Sequence, residues 1–131
     1  MFSVDLSTSE RGGLTVAVLR GELDVADAAS VAADLTAAAE SARVVIVDLA
    51  GLAFIDSSGV AALAKATRHA RVGGGDLLLA AAQQPVLRVL ATTRLAGAFS
   101  LHAGVDEAAS SLGQSRAAVP EPVRSGLLPA T

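Results

Sequence analysis

The sequence contains no cysteine, no tryptophan and no tyrosine, and phenylalanine occurs only three times. Without cysteine there are no disulfides and no thiolate metal sites, which suits a reducing cytoplasm. With aromatics at 2% of the chain, a core has to be assembled from Ala, Val, Leu and Ile. No uninterrupted apolar run approaches the ~20 residues that a membrane-crossing helix needs, so no membrane partner is expected. Residues 1–13, MFSVDLSTSERGG, lack a basic region and a long apolar stretch, and do not read as a signal peptide. A concentrated basic stripe is missing too: net charge is −3, and Lys and Arg are scattered. Binding to a phosphate backbone needs such a stripe, so direct nucleic-acid contact is not expected.

What is present is 131 residues, 52% of them apolar, enough for one domain with a sizeable core. The stretch that organises it is 43–75. Val44, Val45, Ile46 and Val47 form a β-branched run of the kind found in strands covered on both faces. Asp48 ends the run, and residues 50–53 read as a short loop. Asp56-Ser57-Ser58-Gly59 then opens a helix with Val60, Leu63, Ala64 and Thr67 on one face. Ser and Asp suit such a start because their oxygens accept from the unpaired N–H groups of the first turn. Arg68, His69 and Arg71 complement the helix dipole in the last turn, and Gly73-Gly74-Gly75 stops the helix.

In chain order, alternating Val4 and Leu6 suggest a short strand, and Arg11-Gly12-Gly13 a turn. Residues 14–19 form a stronger strand that pairs with the first as a hairpin. Asp24 and Asp27 are the candidate caps of an Ala-rich helix over 26–40, which carries Ala29, Ala32, Ala33, Leu35 and Thr36. After the central strand and serine helix, residues 76–80 read as a second buried strand. Pro85 suits a first helical position, and Val86, Leu87, Val89 and Leu90 supply that helix's buried face. Gly97 breaks it, residues 98–101 suggest a last strand, and 105–112 a final helix with Asp106 and Glu107 in its first turn. From Gly113 the chain has three prolines, two glycines and no periodicity, so 1–112 is the expected domain and 113–131 a disordered tail.

A hairpin followed by alternating helix and strand predicts an α/β fold: a small mixed sheet, its later strands parallel, with about four helices. In such sheets function gathers at the carboxyl ends of the strands. Asp24 and the serine pair both follow strand ends, so the topology can bring them together.

These residues carry a family resemblance. Gly21-Glu22-Leu23-Asp24, Val45-Ile46-Val47-Asp48-Leu49, Phe54-Ile55-Asp56-Ser57-Ser58-Gly59 and Gly73-Gly74-Gly75 look like a STAS domain, in the right order over roughly residues 2–112. More narrowly, the chain resembles the bacterial anti-sigma factor antagonists. The resemblance implies a non-enzymatic cytoplasmic regulator without cofactor or metal. A monomer or weak homodimer is expected, since the Ala-rich first helix can face either solvent or a neighbour. It implies a partner that is an anti-sigma factor with serine kinase activity. It also implies that the acceptor serine, just before the helix glycine, is Ser58, and that Asp24, Asp56, Ser57 and Gly59 surround it. In that family the unphosphorylated antagonist binds the anti-sigma factor and frees the sigma factor, and the phosphorylated form lets go. Residues 91–97 are only loosely family-like. A STAS module of a signalling scaffold or lipid-transport complex, without a phosphoserine switch, is the alternative within the same fold.

Plainer readings stand beside these. Ser57 and Ser58 also suit an N-cap pair, and Asp24 suits either a cap or a recognition surface. Asp48 reads as a strand-end residue that satisfies loop amides. His69 and His102 have no partner at metal-ligand spacing. The glycines at 73–75 lack the Lys-Ser/Thr ending of a phosphate-binding loop. A serine enzyme needs a nearby base and a Gly-x-Ser-x-Gly elbow, and neither is evident. A receiver-like phosphoacceptor at Asp48 needs a magnesium-holding acidic pair after the first strand, and none is there.

Overall fold

Val44, Val45, Ile46 and Val47 are all buried, because their strand lies mid-sheet with helices on both faces. The computed structural model describes residues 5–11, 14–93 and 95–118. Strand β1 (Asp5–Arg11) pairs antiparallel with β2 (Leu14–Leu23). From β2 onward, β3 (Val44–Ile55), β4 (Asp76–Ala80) and β5 (Leu101–His102) run in parallel, and spatial order equals chain order. The helices are α1 (Val25–Ser41), α2 (Ser57–Val72), α3 (Gln84–Thr92) and α4 (Val105–Ala118), with a 3-10 turn at Ala96–Ala98.

The pleat divides the core. Val45, Val47, Leu77 and Leu79 pack with Val31 and Leu35 of α1, Val60 and Leu63 of α2, and Val86 and Leu90 of α3. Ile46, Leu78 and Ala80 face the other side, where Ala108 and Leu112 of α4 cover them. Each fully buried Val or Leu contributes about 1.5–3 kcal/mol of transfer free energy. Numerous aliphatic side chains thus replace the aromatic bulk that the sequence lacks. The fold is the expected mixed α/β sheet with four helices.

Several element boundaries differ from expectation. Asp48 does not end its strand, and residues 50–53 are not a loop. Strand β3 runs on to Ile55, pairing with Arg20, Gly21, Glu22 and Leu23 after register shifts. Gly21 takes φ of 99° at this irregularity, a conformation with little steric cost only for glycine. The shifts interrupt the two-residue alternation that marks a strand, which hides the extension from a pattern reading. Asp48 still serves a nearby amide: its Oδ1 accepts from Ala50 N at 3.0 Å.

Helix α1 buries Ala28, Val31, Ala32 and Leu35, and leaves Ala29 and Ala33 outward. Ala64 of α2 is only half-buried. The last strand is two residues, Leu101–His102, because β4 pairs only through Leu79 and Ala80; the preceding residues include the 3-10 turn. Helix α4 continues to Ala118, so six residues assigned to the tail are helical. Val4, the glycine turn at 12–13 and the tail at 119–131 lie outside the described residues.

Candidate functional site

Strands β2 and β3 end side by side, with Leu23 opposite Ile55. The Asp56 amide donates to the Leu23 carbonyl at 3.2 Å, which ties the two exits together. One residue beyond each strand stands an aspartate that caps a helix. Asp24 Oδ1 accepts from Ala26 N at 3.0 Å at the start of α1, which settles the cap in favour of Asp24 over Asp27. Asp56 Oδ1 accepts from Gly59 N at 3.0 Å at the start of α2. Two carboxylates and two helix N-termini therefore share one corner of the sheet, each charge favoured by the dipole behind it.

The serines are not the cap. Asp56 has the extended backbone an N-cap needs, with φ −112° and ψ −175°, and its carboxylate is a stronger acceptor than a hydroxyl. Ser57 and Ser58 are instead the first two residues of α2. Among the described residues, neither hydroxyl has a hydrogen-bond partner. Ser57 is exposed and Ser58 half-buried. Gly59 is buried, and a Cβ there would stand 2.6 Å from Ile55 Cγ1 and 2.9 Å from Leu23 Cγ. The motif's glycine is thus explained by packing: the first turn of α2 rests directly on the paired strand ends.

Pattern reading missed Val25 and Phe54. Both flank this corner in sequence, and they are 73% and 46% exposed. The available signal was Phe54 itself, a large aromatic two residues before the cap in a chain with few aromatics.

No imidazole reaches the serines. His69 lies twelve residues along α2 from Ser57, roughly 18 Å at 1.5 Å per residue, and its Nε2 meets Glu40 Oε2 at 3.1 Å. His102 Nε2 is 3.0 Å from Ser100 Oγ. Among the described residues there is no His/Cys/Asp/Glu cluster suited to a metal ion. No described helix is long and apolar enough to cross a membrane.

A family model for the STAS domain matches residues 5–108. The chain belongs to the STAS domain family. Among curated proteins, none matches this STAS domain in sequence. Its fold is similar to that of an anti-sigma factor antagonist from Mycobacterium paratuberculosis, with TM-score 0.74 and 24% identity over 85% of this chain and 95% of that one. It is also similar to the anti-sigma factor antagonist SpoIIAA in its unphosphorylated form, with TM-score 0.68 and 24% identity over 86% of this chain and 97% of the other. Bacillus SpoIIAA in the phosphorylated form gives TM-score 0.61 at 24% identity, over 84% and 99% of the respective chains. Part of the murine anion transporter Slc26a9 shares the fold as well, with TM-score 0.69 and 17% identity over 82% of this chain and 19% of that one. At these identities the likeness is one of fold.

Proposed function

We propose that this STAS domain is an anti-sigma factor antagonist whose binding is switched by phosphorylation of Ser58. The unphosphorylated form binds an anti-sigma factor that is also a serine kinase, releasing a sigma factor. Phosphorylation ends that binding. The observation that supports this most is the unpartnered hydroxyl of Ser58 in the first turn of a helix that Asp56 already caps. A phosphate at a helix N-terminus meets unpaired N–H groups and a favourable dipole, so the fold tolerates it. It also brings a charge of about −1.5 to −2. Beside Asp24 and Asp56, that charge repels acidic groups on a partner. Val25 and Phe54 supply apolar contact area for the unphosphorylated complex. SpoIIAA, a neighbour in fold, has been solved in unphosphorylated and phosphorylated forms.

A titration of the anti-sigma factor against two variants tests the switch. Ser58→Ala is expected to bind persistently with ATP present, and Ser58→Asp to bind weakly while remaining folded. Equal affinity of the two folded variants would remove charge at this terminus as the switch. The domain would then fit a constitutive module of a signalling scaffold or transport complex.

A further inference from the structure

At the far end of α2 from the serines, a groove of about 550 Å3 lies between that helix and the 3-10 turn Ala96–Ala98. Val72 and Leu95 line it and are 83% and 37% exposed. Lys65, Arg68 and Arg71 also line it, and among the described residues no acidic side chain does. Arg71 is engaged, with Nε on Asp76 Oδ1 at 2.9 Å and Nη1 on the Ala98 carbonyl at 2.9 Å. Lys65 and Arg68 have no ion-pair partner among the described residues. In a chain of net charge −3, this groove joins exposed apolar surface to two cations without an ion pair among the described residues.

The complementary surface is on the same molecule. Helix α1 carries Asp27, Asp34 and Glu40 and no basic residue, whereas α2 carries Lys65, Arg68, His69 and Arg71 and no acidic one. Glu40 meets His69 and Arg71 meets Asp76 within the chain, which leaves Asp27 and Asp34 on α1 and Lys65 and Arg68 on α2. On α1, Ala29, Ala33 and Ala37 form an exposed row at four-residue spacing, with Asp34 exposed beside it. A row of alanines lets a helix approach another surface closely, and the adjacent acid supplies the sign the groove lacks. Helices α1 and α2 pack side by side through Ala28, Ala32 and Ala62 on one face of the sheet. Because α1 packs on α2 through that alanine cluster, and the groove is lined by other α2 residues, α1 does not line its own chain's groove.

We propose that α1 of a second copy seats in this groove, with Asp34 facing Lys65 and Arg68. A two-fold axis makes the contact reciprocal, so each copy supplies one helix and one groove and the assembly closes as a dimer. The contact uses the end of α2 opposite Ser57 and Ser58, so its test stands apart from the phosphorylation reading.

Sedimentation equilibrium of the full chain, from micromolar to millimolar concentration and at low and high salt, tests this. Reversible dimerisation that weakens with salt is expected. Arg68→Glu and Asp34→Arg are each expected to weaken association by about tenfold or more, since like charges then face each other at both contacts. An equimolar mixture of the two variants is expected to recover dimerisation, because every mixed pair again opposes unlike charges. A monomer at all concentrations overturns the proposal, as does a dimer indifferent to both variants. A dimer seen only after deletion of residues 119–131 would assign the groove to the chain's own C-terminal segment. A monomer whose Val72 and Leu95 amide resonances shift with added decanoate would assign it to an anionic amphiphile.

Discussion

The amide of Asp56 donates to the carbonyl of Leu23 at 3.2 Å, so two helices begin from a single clamped pair of strand ends. Gly59 sits directly on that clamp. Adding a methyl group there forces Ile55, Leu23 or the first turn of α2 to move. Gly59→Ala is therefore expected to lower stability by about 1–3 kcal/mol, the usual range for overpacking. Gly73→Ala is the control, because its Cβ would meet nothing closer than 3.6 Å. Urea denaturation of both variants checks the contrast, and an equal loss in the two would show that the clamp is not tight.

The two cap aspartates should act locally and alike. Asp24→Ala and Asp56→Ala each remove one carboxylate bond to a first-turn amide and are expected to cost about 1 kcal/mol. The Asn variants keep an acceptor and should lose less. Thermal unfolding would register each loss as a shift of several degrees in a domain of this size. If Asp56→Ala unfolds the protein outright, the aspartate has a role beyond capping.

Which serine accepts phosphate is decided by peptide mapping after incubation with a cognate kinase and ATP. One phosphate on Ser58 is expected, although Ser57 is the more exposed of the two. Simple accessibility therefore favours the other residue, which makes the experiment discriminating. Label on Ser57 alone, or on both equally, overturns the assignment of Ser58 as the acceptor.

Ser58→Ala and Ser58→Asp should both melt near wild type. Asp56 holds the cap, so neither variant removes a hydrogen bond that the fold uses. A change within about 1 kcal/mol is expected, because no hydrogen bond is lost at this half-buried position. A larger loss in Ser58→Ala would mean that its half-buried side chain contributes to packing.

Two truncations distinguish helix α4 from the C-terminal residues beyond it. Deleting residues 119–131 is expected to leave the melting midpoint unchanged. Deleting 105–131 instead uncovers Ile46, Leu78 and Ala80, which α4 buries through Ala108. That shorter chain is expected to aggregate or to expose an apolar surface that binds a hydrophobic dye. A fall of several degrees on the first deletion would show residues 119–131 docked on the domain.

Much of this architecture is encoded within short windows. The β-branched run at 44–47, the apolar periodicity of α2 and the glycines after Val72 each act through neighbouring residues, so their elements are legible without a partner. The corner that joins Asp24 to Asp56 is legible as well, because parallel strands linked by helices place their exits along one edge. What pairing decides was not legible. Strand β3 continues beyond Asp48 because β2 accepts its register shifts at Gly21, a fact about two segments and not about either alone. The choice of Asp56 over the serines as cap depends on where that longer strand releases the chain. The groove beside α2 exists only because the turn holding Ala98, 27 residues beyond Arg71, folds against that side chain. Local sequence sets which residues prefer a strand or a helix, whereas burial, register and surface charge arise from contacts between segments far apart in the chain.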